Sequence, residues 1–197
     1  MSDPYNSSQK SWAATAESRP AYQQLWAPWR LEYLQGPKPE QTSHEPLELL
    51  PGADADCFLC QAAASRRDRA RLVVHRSPHC LTVLNRYPYN NGHLLVCPKK
   101  HHARLHDLSD AEHLDVCRVL TKMIAVLEQT IHPGGFNVGL NLGRAAGAGL
   151  PGHLHWHVVP RWEGDTNFMP ILASVKVIPQ SLESLWEILT EALKEAS

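Results

Sequence analysis

His153-Leu154-His155-Trp156-His157-Val158-Val159-Pro160 sets three imidazoles at alternate positions, with apolar residues between and after them. Successive side chains of an extended strand point to opposite faces. All three rings therefore share one face, and Leu154, Trp156 and Val158 share the other. Histidine moves protons, attacks phosphorus or holds a metal near neutral pH. Three rings backed by an apolar face fit a site, and the plain alternative is a strand whose histidines merely sit in water.

Outward from this strand, Gly143 to Gly152 is a glycine-rich loop, and Phe136 to Leu142 reads as a strand. Ser109 to Ile131 reads as a helix. Ser109 and Glu112 form a capping box, Cys117, Leu120, Ile124, Leu127 and Ile131 form an apolar stripe, and Pro133-Gly134-Gly135 closes it. Strands are expected at Leu72–His75, Leu81–Leu84 and His93–Cys97, with a turn at Ser77-Pro78-His79 and a long polar turn from Asn85 to Gly92. Pro98 ends the last of these. A short strand is expected at Val175–Ile178. A final helix from Ser181 buries Leu182, Leu185, Trp186 and Leu189. The pattern indicates an α+β domain, an antiparallel sheet packed with a long helix and a C-terminal helix.

The 197 residues, 43% of them hydrophobic, suffice for one domain with a sizeable core. Residues 1–20 read as a disordered tail. Residues 21–56 form an N-terminal arm and loop, whose aromatic stretch Leu25 to Leu34 is expected to dock on the core. Residues 57–165 make the main domain, and residues 166–197 a C-terminal extension with a helix. A net charge of -1 gives no general basic field for long nucleic acids. No run approaches a membrane span or an export signal, so a soluble cytoplasmic protein is expected. Five cysteines in such a chain argue against a disulfide framework.

Two chemistries suit the histidine strand. A hydrolytic metal site would use a His-x-His pair, but it needs a third ligand and a base, and no Glu lies between His132 and Arg161. Nucleophilic attack at phosphorus needs a neutral ring held in one tautomer, with loop amides from Gly143, Gly147, Gly149 and Gly152 to meet the phosphate.

His153 to Val159 resembles the His-φ-His-φ-His-φ-φ signature of the histidine-triad (HIT) nucleotidyl hydrolases and transferases. Leu84 to His101 is similar to that family's nucleoside-binding strand and turn, and Phe136 to Gly143 to its phosphate-side strand. The resemblance implies a HIT-like fold with His155 as nucleophile, His157 on the phosphate, His153 orienting the site and His93 supporting it. It also implies Asn85 on the ribose and Asn141 near the phosphates and leaving group; turn or edge polarity is the alternative for both. Many members carry Gly-Gln-Ser or Gly-Gln-Thr before the triad. Here Gly149-Leu150-Pro151-Gly152 has neither Gln nor hydroxyl, so backbone amides, with Gly149 among them, and Asn141 would take over.

Pro160 to Phe168, with the Leu25-to-Leu34 arm, resembles the diadenosine tetraphosphate phosphorylase and hydrolase branch. Trp162 is then a candidate for stacking on a base, with a core role as the alternative. The resemblance further implies a homodimer, with the long helix and following strand as interface, and a nucleotide substrate. It implies no cofactor for catalysis. Cys57-x-x-Cys60 resembles half of a structural zinc site whose other ligands match His101 and His153; two buried cysteines, with His101 a surface residue, is the alternative. The expected reaction is cleavage of the α-phosphoryl linkage of a dinucleoside polyphosphate through a nucleotidyl-histidine, with phosphate or water as acceptor. A nucleoside phosphoramidate hydrolase and a non-catalytic nucleotide-binding module are the alternatives. The basic run Arg66 to Arg71 reads as a solvated face, and Lys99 and Lys100 either attract polyphosphate or face solvent.

Overall fold

The computed structural model describes residues 47–165 and 178–195. The expected tail, the Leu25-to-Leu34 arm and all but the last residue of the Val175–Ile178 strand lie outside them. The described elements are α1 (Phe58–Ala64), α2 (Asp68–Arg71), β1 (Val73–Arg76), β2 (Cys80–Leu84), β3 (Leu94–Pro98), α3 (Asp110–Ile131), β4 (Gly135–Leu140), β5 (Trp156–Arg161) and α4 (Leu182–Glu195). The five strands form one antiparallel sheet in the order β1-β2-β3-β5-β4. The fold is the α+β arrangement expected, with the histidine strand inserted between β3 and β4.

Alternation divides the sheet into two faces. Leu84, Leu94, Val96 and Val158 pack against Val116, Val119, Met123, Val126 and Leu127 of α3 and Leu185, Leu189 and Leu193 of α4. Leu81, Val83, Leu95 and Cys97 face the other way, onto Cys57, Leu59, Cys60 and Ala62 at α1. Leu95 pairs with His157, so the histidine face lies on the α1 side of the sheet.

The capping box of α3 forms as expected: Ser109 N–H donates to Glu112 Oε2 at 2.9 Å, and Glu112 N–H donates to Ser109 Oγ at 3.4 Å. The expected stripe is rotated. The buried row is Glu112, Val116, Val119, Met123, Val126 and Leu127, whereas Cys117 is exposed. Leu120, Ile124 and Ile131 lie at its margin. The helix carries two adjacent apolar rows, and periodicity alone does not select the one that meets the sheet.

The β5 ladder begins at Trp156, later than the His153 start expected from sequence. His153 and His155 precede it because Leu154 N–H bonds to His102 carbonyl at 2.7 Å, tying this stretch to the segment after β3. β3 is shifted by one residue from the expected His93–Cys97, and Pro98, expected to stop it, is its last paired residue, opposite Cys80. Among the described residues, no helix is long and apolar enough to cross a membrane.

Candidate active site and adjoining metal site

His155 is buried, and its Nδ1 lies 2.8 Å from the His153 carbonyl. A carbonyl only accepts, so Nδ1 carries the proton and Nε2 keeps its lone pair. Burial lowers the pKa of His155, so the ring is neutral near pH 7. A neutral imidazole in one tautomer with an available Nε2 is what nucleophilic attack requires.

A second chain of bonds sets His157. Tyr89 N–H donates to His93 Nδ1 at 3.0 Å. His93 Nε2 must then bear the proton, and it lies 2.9 Å from His157 Nδ1. His157 Nδ1 is therefore the acceptor, and its Nε2 bears hydrogen. The His155 and His157 rings meet edge to face with centroids 5.1 Å apart. One ring thus carries a lone pair at Nε2 and its neighbour a hydrogen at Nε2.

The turn between β2 and β3 delivers His93. Asn85 Oδ1 accepts Tyr87 N–H at 3.0 Å, and Asn85 Nδ2 lies 3.2 Å from His93 Nδ1. Asn85 is thus in the cluster, with its oxygen engaged in the turn. Tyr89 is a member that sequence reasoning missed: its ring stacks on His157 at 5.5 Å. The available signal was an aromatic four residues before His93.

The β4–β5 ladder ends at the Leu140–Trp156 pair, so Asn141 follows the last paired residue of β4 and His155 precedes the first of β5. Gly149 is exposed in the preceding loop. Trp162 is not brought to the triad. It lies just beyond β5, roughly 16 Å along an extended chain from His157, and its indole N–H donates to the His132 carbonyl at 3.1 Å. This bond holds its ring at the end of α3. Neighbouring Asp165 accepts from Arg161 Nε at 2.6 Å, Asn90 Nδ2 at 2.8 Å and Trp162 N–H at 3.2 Å, tying the end of β5 to the β2–β3 turn.

The basic groups are mostly tied down. Lys99 donates to the Ser77 and Pro78 carbonyls, and Lys100 pairs with Glu112 at 3.1 Å. Arg69 is exposed and pairs with Glu187, and Arg71 donates to Gln61 at 2.9 Å.

Cys57, Cys60, His101 and His153 converge, their ligand atoms all within 4.8 Å of one another. Cys57 caps α1 and Cys60 lies on its first turn, which brings both thiols to one end of the helix. His153 Nδ1 is 3.3 Å from Cys57 Sγ, and His101 Nδ1 is 3.2 Å from Cys60 Sγ. His153 Nε2–H donates to the Pro98 carbonyl at 2.8 Å, so the lone pair on Nδ1 points at the thiols. Gly152 makes room for this packing, since a Cβ there would lie 3.1 Å from His101 Nε2. Burial first, and then the charge of Cys60, push Cys57 up to about 12 against the opposing backbone N–H of Cys60, and burial takes His153 down to about 4. A dication among these atoms would reverse the thiol preference. Two sulfurs and two nitrogens suit a closed tetrahedral site, which has no open position for activating water.

The family model for the HIT domain matches residues 66–164. The chain is 40% identical over 177 residues to an AP-4-A phosphorylase of Mycobacterium tuberculosis, covering 87% of this chain and 84% of that one. It is 30% identical over 138 residues to an adenosine 5'-monophosphoramidase of Schizosaccharomyces pombe, covering 70% of this chain and 98% of that one. A solved structure of a zinc-bound histidine triad family protein from Mycobacterium smegmatis superposes with a TM-score of 0.52 at 26% identity, covering 64% of this chain and 85% of that one. The chain belongs to the histidine-triad (HIT) family and is an enzyme of its nucleotide hydrolase and transferase class.

Proposed function

We propose that this enzyme cleaves the α-phosphoryl linkage of a dinucleoside polyphosphate such as diadenosine tetraphosphate. The observation that carries the reading is the fixed tautomer of His155, whose Nδ1–H is held by the His153 carbonyl. His155 Nε2 attacks the α-phosphorus. A nitrogen–phosphorus bond forms, the phosphorus–oxygen bond to the next phosphate breaks, and ATP leaves. His157, with hydrogen on Nε2, donates to the phosphoryl oxygens as charge builds on them. Phosphate or water then attacks the adenylyl-His155, returning the electron pair to Nε2 and giving ADP or AMP. Asn141, the Gly149-to-Gly152 amides and Asn85 serve the phosphates and ribose. The relative named as an AP-4-A phosphorylase supports this substrate class and phosphate as acceptor.

The test is product analysis on diadenosine tetraphosphate with and without phosphate. ADP plus ATP formed only with phosphate marks a phosphorylase, and AMP plus ATP marks a hydrolase. His155→Ala is expected to lose turnover by at least about 10³-fold while still binding nucleotide. Near-wild-type rates in that variant would overturn the mechanism. The phosphoramidase relative makes adenosine phosphoramidate the comparison substrate, and preferential turnover of it would replace the polyphosphate reading.

The same reading includes zinc at Cys57, Cys60, His101 and His153, supported by the donor set and by the zinc-bound relative. It holds the segments together and takes no part in the chemistry. It also includes a homodimer. Among the described strands β4 lies at the edge of the sheet, Val138 on it is 45% exposed and Leu114 on α3 is 51% exposed, and Cys117 lies in the outer row of that helix. A monomeric mass by light scattering would remove the dimer.

A further inference from the structure

We infer that Tyr89 is a positioning residue for His157, an inference that rests on His157 being the ring that donates to the phosphoryl group. Tyr89 acts on the relay twice. Its backbone N–H, 3.0 Å from His93 Nδ1, selects the His93 tautomer that donates to His157. Its ring lies over His157 with centroids 5.5 Å apart and planes 20° from parallel, and it also covers His93 at 4.7 Å and 38°. Both distances lie in the range of favourable aromatic pairs.

The ring contact has a particular consequence. An imidazole turned by half a revolution about its Cβ–Cγ bond exchanges Nδ1 for a carbon. His157 would then lose the hydrogen bond from His93, and its Nε2–H would point elsewhere. His93 resists that rotation from one side and the His155 ring, 5.1 Å away and edge-on, from another. Tyr89 closes the flat face. As His157 gains positive character during bond cleavage, the electron-rich face of the Tyr89 ring attracts it further. An aliphatic side chain of similar size would fill the space without the flat contact or that attraction.

The test compares the full-length wild-type chain with Tyr89→Phe and Tyr89→Leu. The first readout is the ¹⁵N shifts of the labelled His157 ring without nucleotide. Wild type and Tyr89→Phe are expected to hold one Nε2–H tautomer, and Tyr89→Leu to show both. The second readout is turnover of diadenosine tetraphosphate. Tyr89→Leu is expected to lower kcat about 3- to 10-fold with KM changed less than about two-fold, and Tyr89→Phe to restore it. A leucine variant with the wild-type tautomer and kcat would overturn the inference. So would a rise in KM at unchanged kcat, which would make Tyr89 a nucleoside contact. If the wild type turns over no dinucleotide, the proposed reaction fails, and the tautomer comparison then decides for or against Tyr89 by itself. Should Tyr89→Leu not fold, Tyr89→Trp replaces it and is expected to keep the single tautomer; a mixed tautomer there would overturn the inference.

Discussion

Gly92 shows how much one residue in the turn before His93 is constrained. Its φ is +74°, and a Cβ there would sit 2.6 Å from Ile131 Cδ1 and 3.1 Å from Pro160 Cγ. Any side chain is opposed both by the backbone conformation and by the end of α3. Gly92→Ala is expected to destabilise the protein by about 1–3 kcal/mol, read as a lower midpoint in urea. A midpoint within error of wild type would show that Ile131 moves aside freely. The turn itself is legible in Asn90-Asn91-Gly92. The crowding is not, because it depends on where a helix some forty residues later comes to rest. Tyr89 escaped sequence reading for the same reason: its partner on β5 lies far along the chain.

At the scale of the element, α3 shows a local signal that is legible and a tertiary one that is not. The Ser109–Glu112 box is written in four consecutive residues and forms. The row that meets the sheet includes the buried Glu112, which Lys100 meets at 3.1 Å, a pairing across the fold that no local pattern shows. Burial alone would raise the pKa of Glu112, but the Ser109 backbone and hydroxyl and then Lys100 outweigh it and hold the carboxyl at about 2, against an ordinary 4.5. In the unfolded chain the carboxyl takes its proton near 4.5, whereas the folded protein keeps it ionised to about 2. The contribution is therefore full above pH 4.5 and is lost as pH falls toward 2. Its size is on the order of 2–3 kcal/mol, toned down because Lys100 is exposed. Urea midpoints measured from pH 6 down to pH 2.5 should fall more steeply for wild type than for Glu112→Gln, and equal slopes would refute this assignment.

Over the whole molecule, the triad was legible because its three histidines lie within five positions and alternation alone gives them one face. The convergence of Cys57, Cys60, His101 and His153 was legible only by resemblance. These residues come from α1, from the segment after β3 and from the triad, and no local pattern announces that His153 turns its Nδ1 toward Cys57 while its carbonyl holds His155. Trp162 was singled out by resemblance, and sequence does not show that its indole N–H ends at the His132 carbonyl, at the end of α3. This sharing of His153 gives metal removal a definite expected result. A zinc ion binding only the folded chain stabilises it by RT ln(1 + [Zn]/Kd), about 2.7 kcal/mol at a hundred times Kd. For a domain of this size that is a shift in Tm of roughly 5–10 °C. Chelation of the full-length enzyme should lower Tm by at least that much, and zinc should restore it. Cys60→Ser should show a low Tm that responds little to either treatment. If wild type contains metal at less than about a tenth of an equivalent per chain and its Tm ignores both chelator and zinc, the four residues are a buried polar cluster rather than a metal centre.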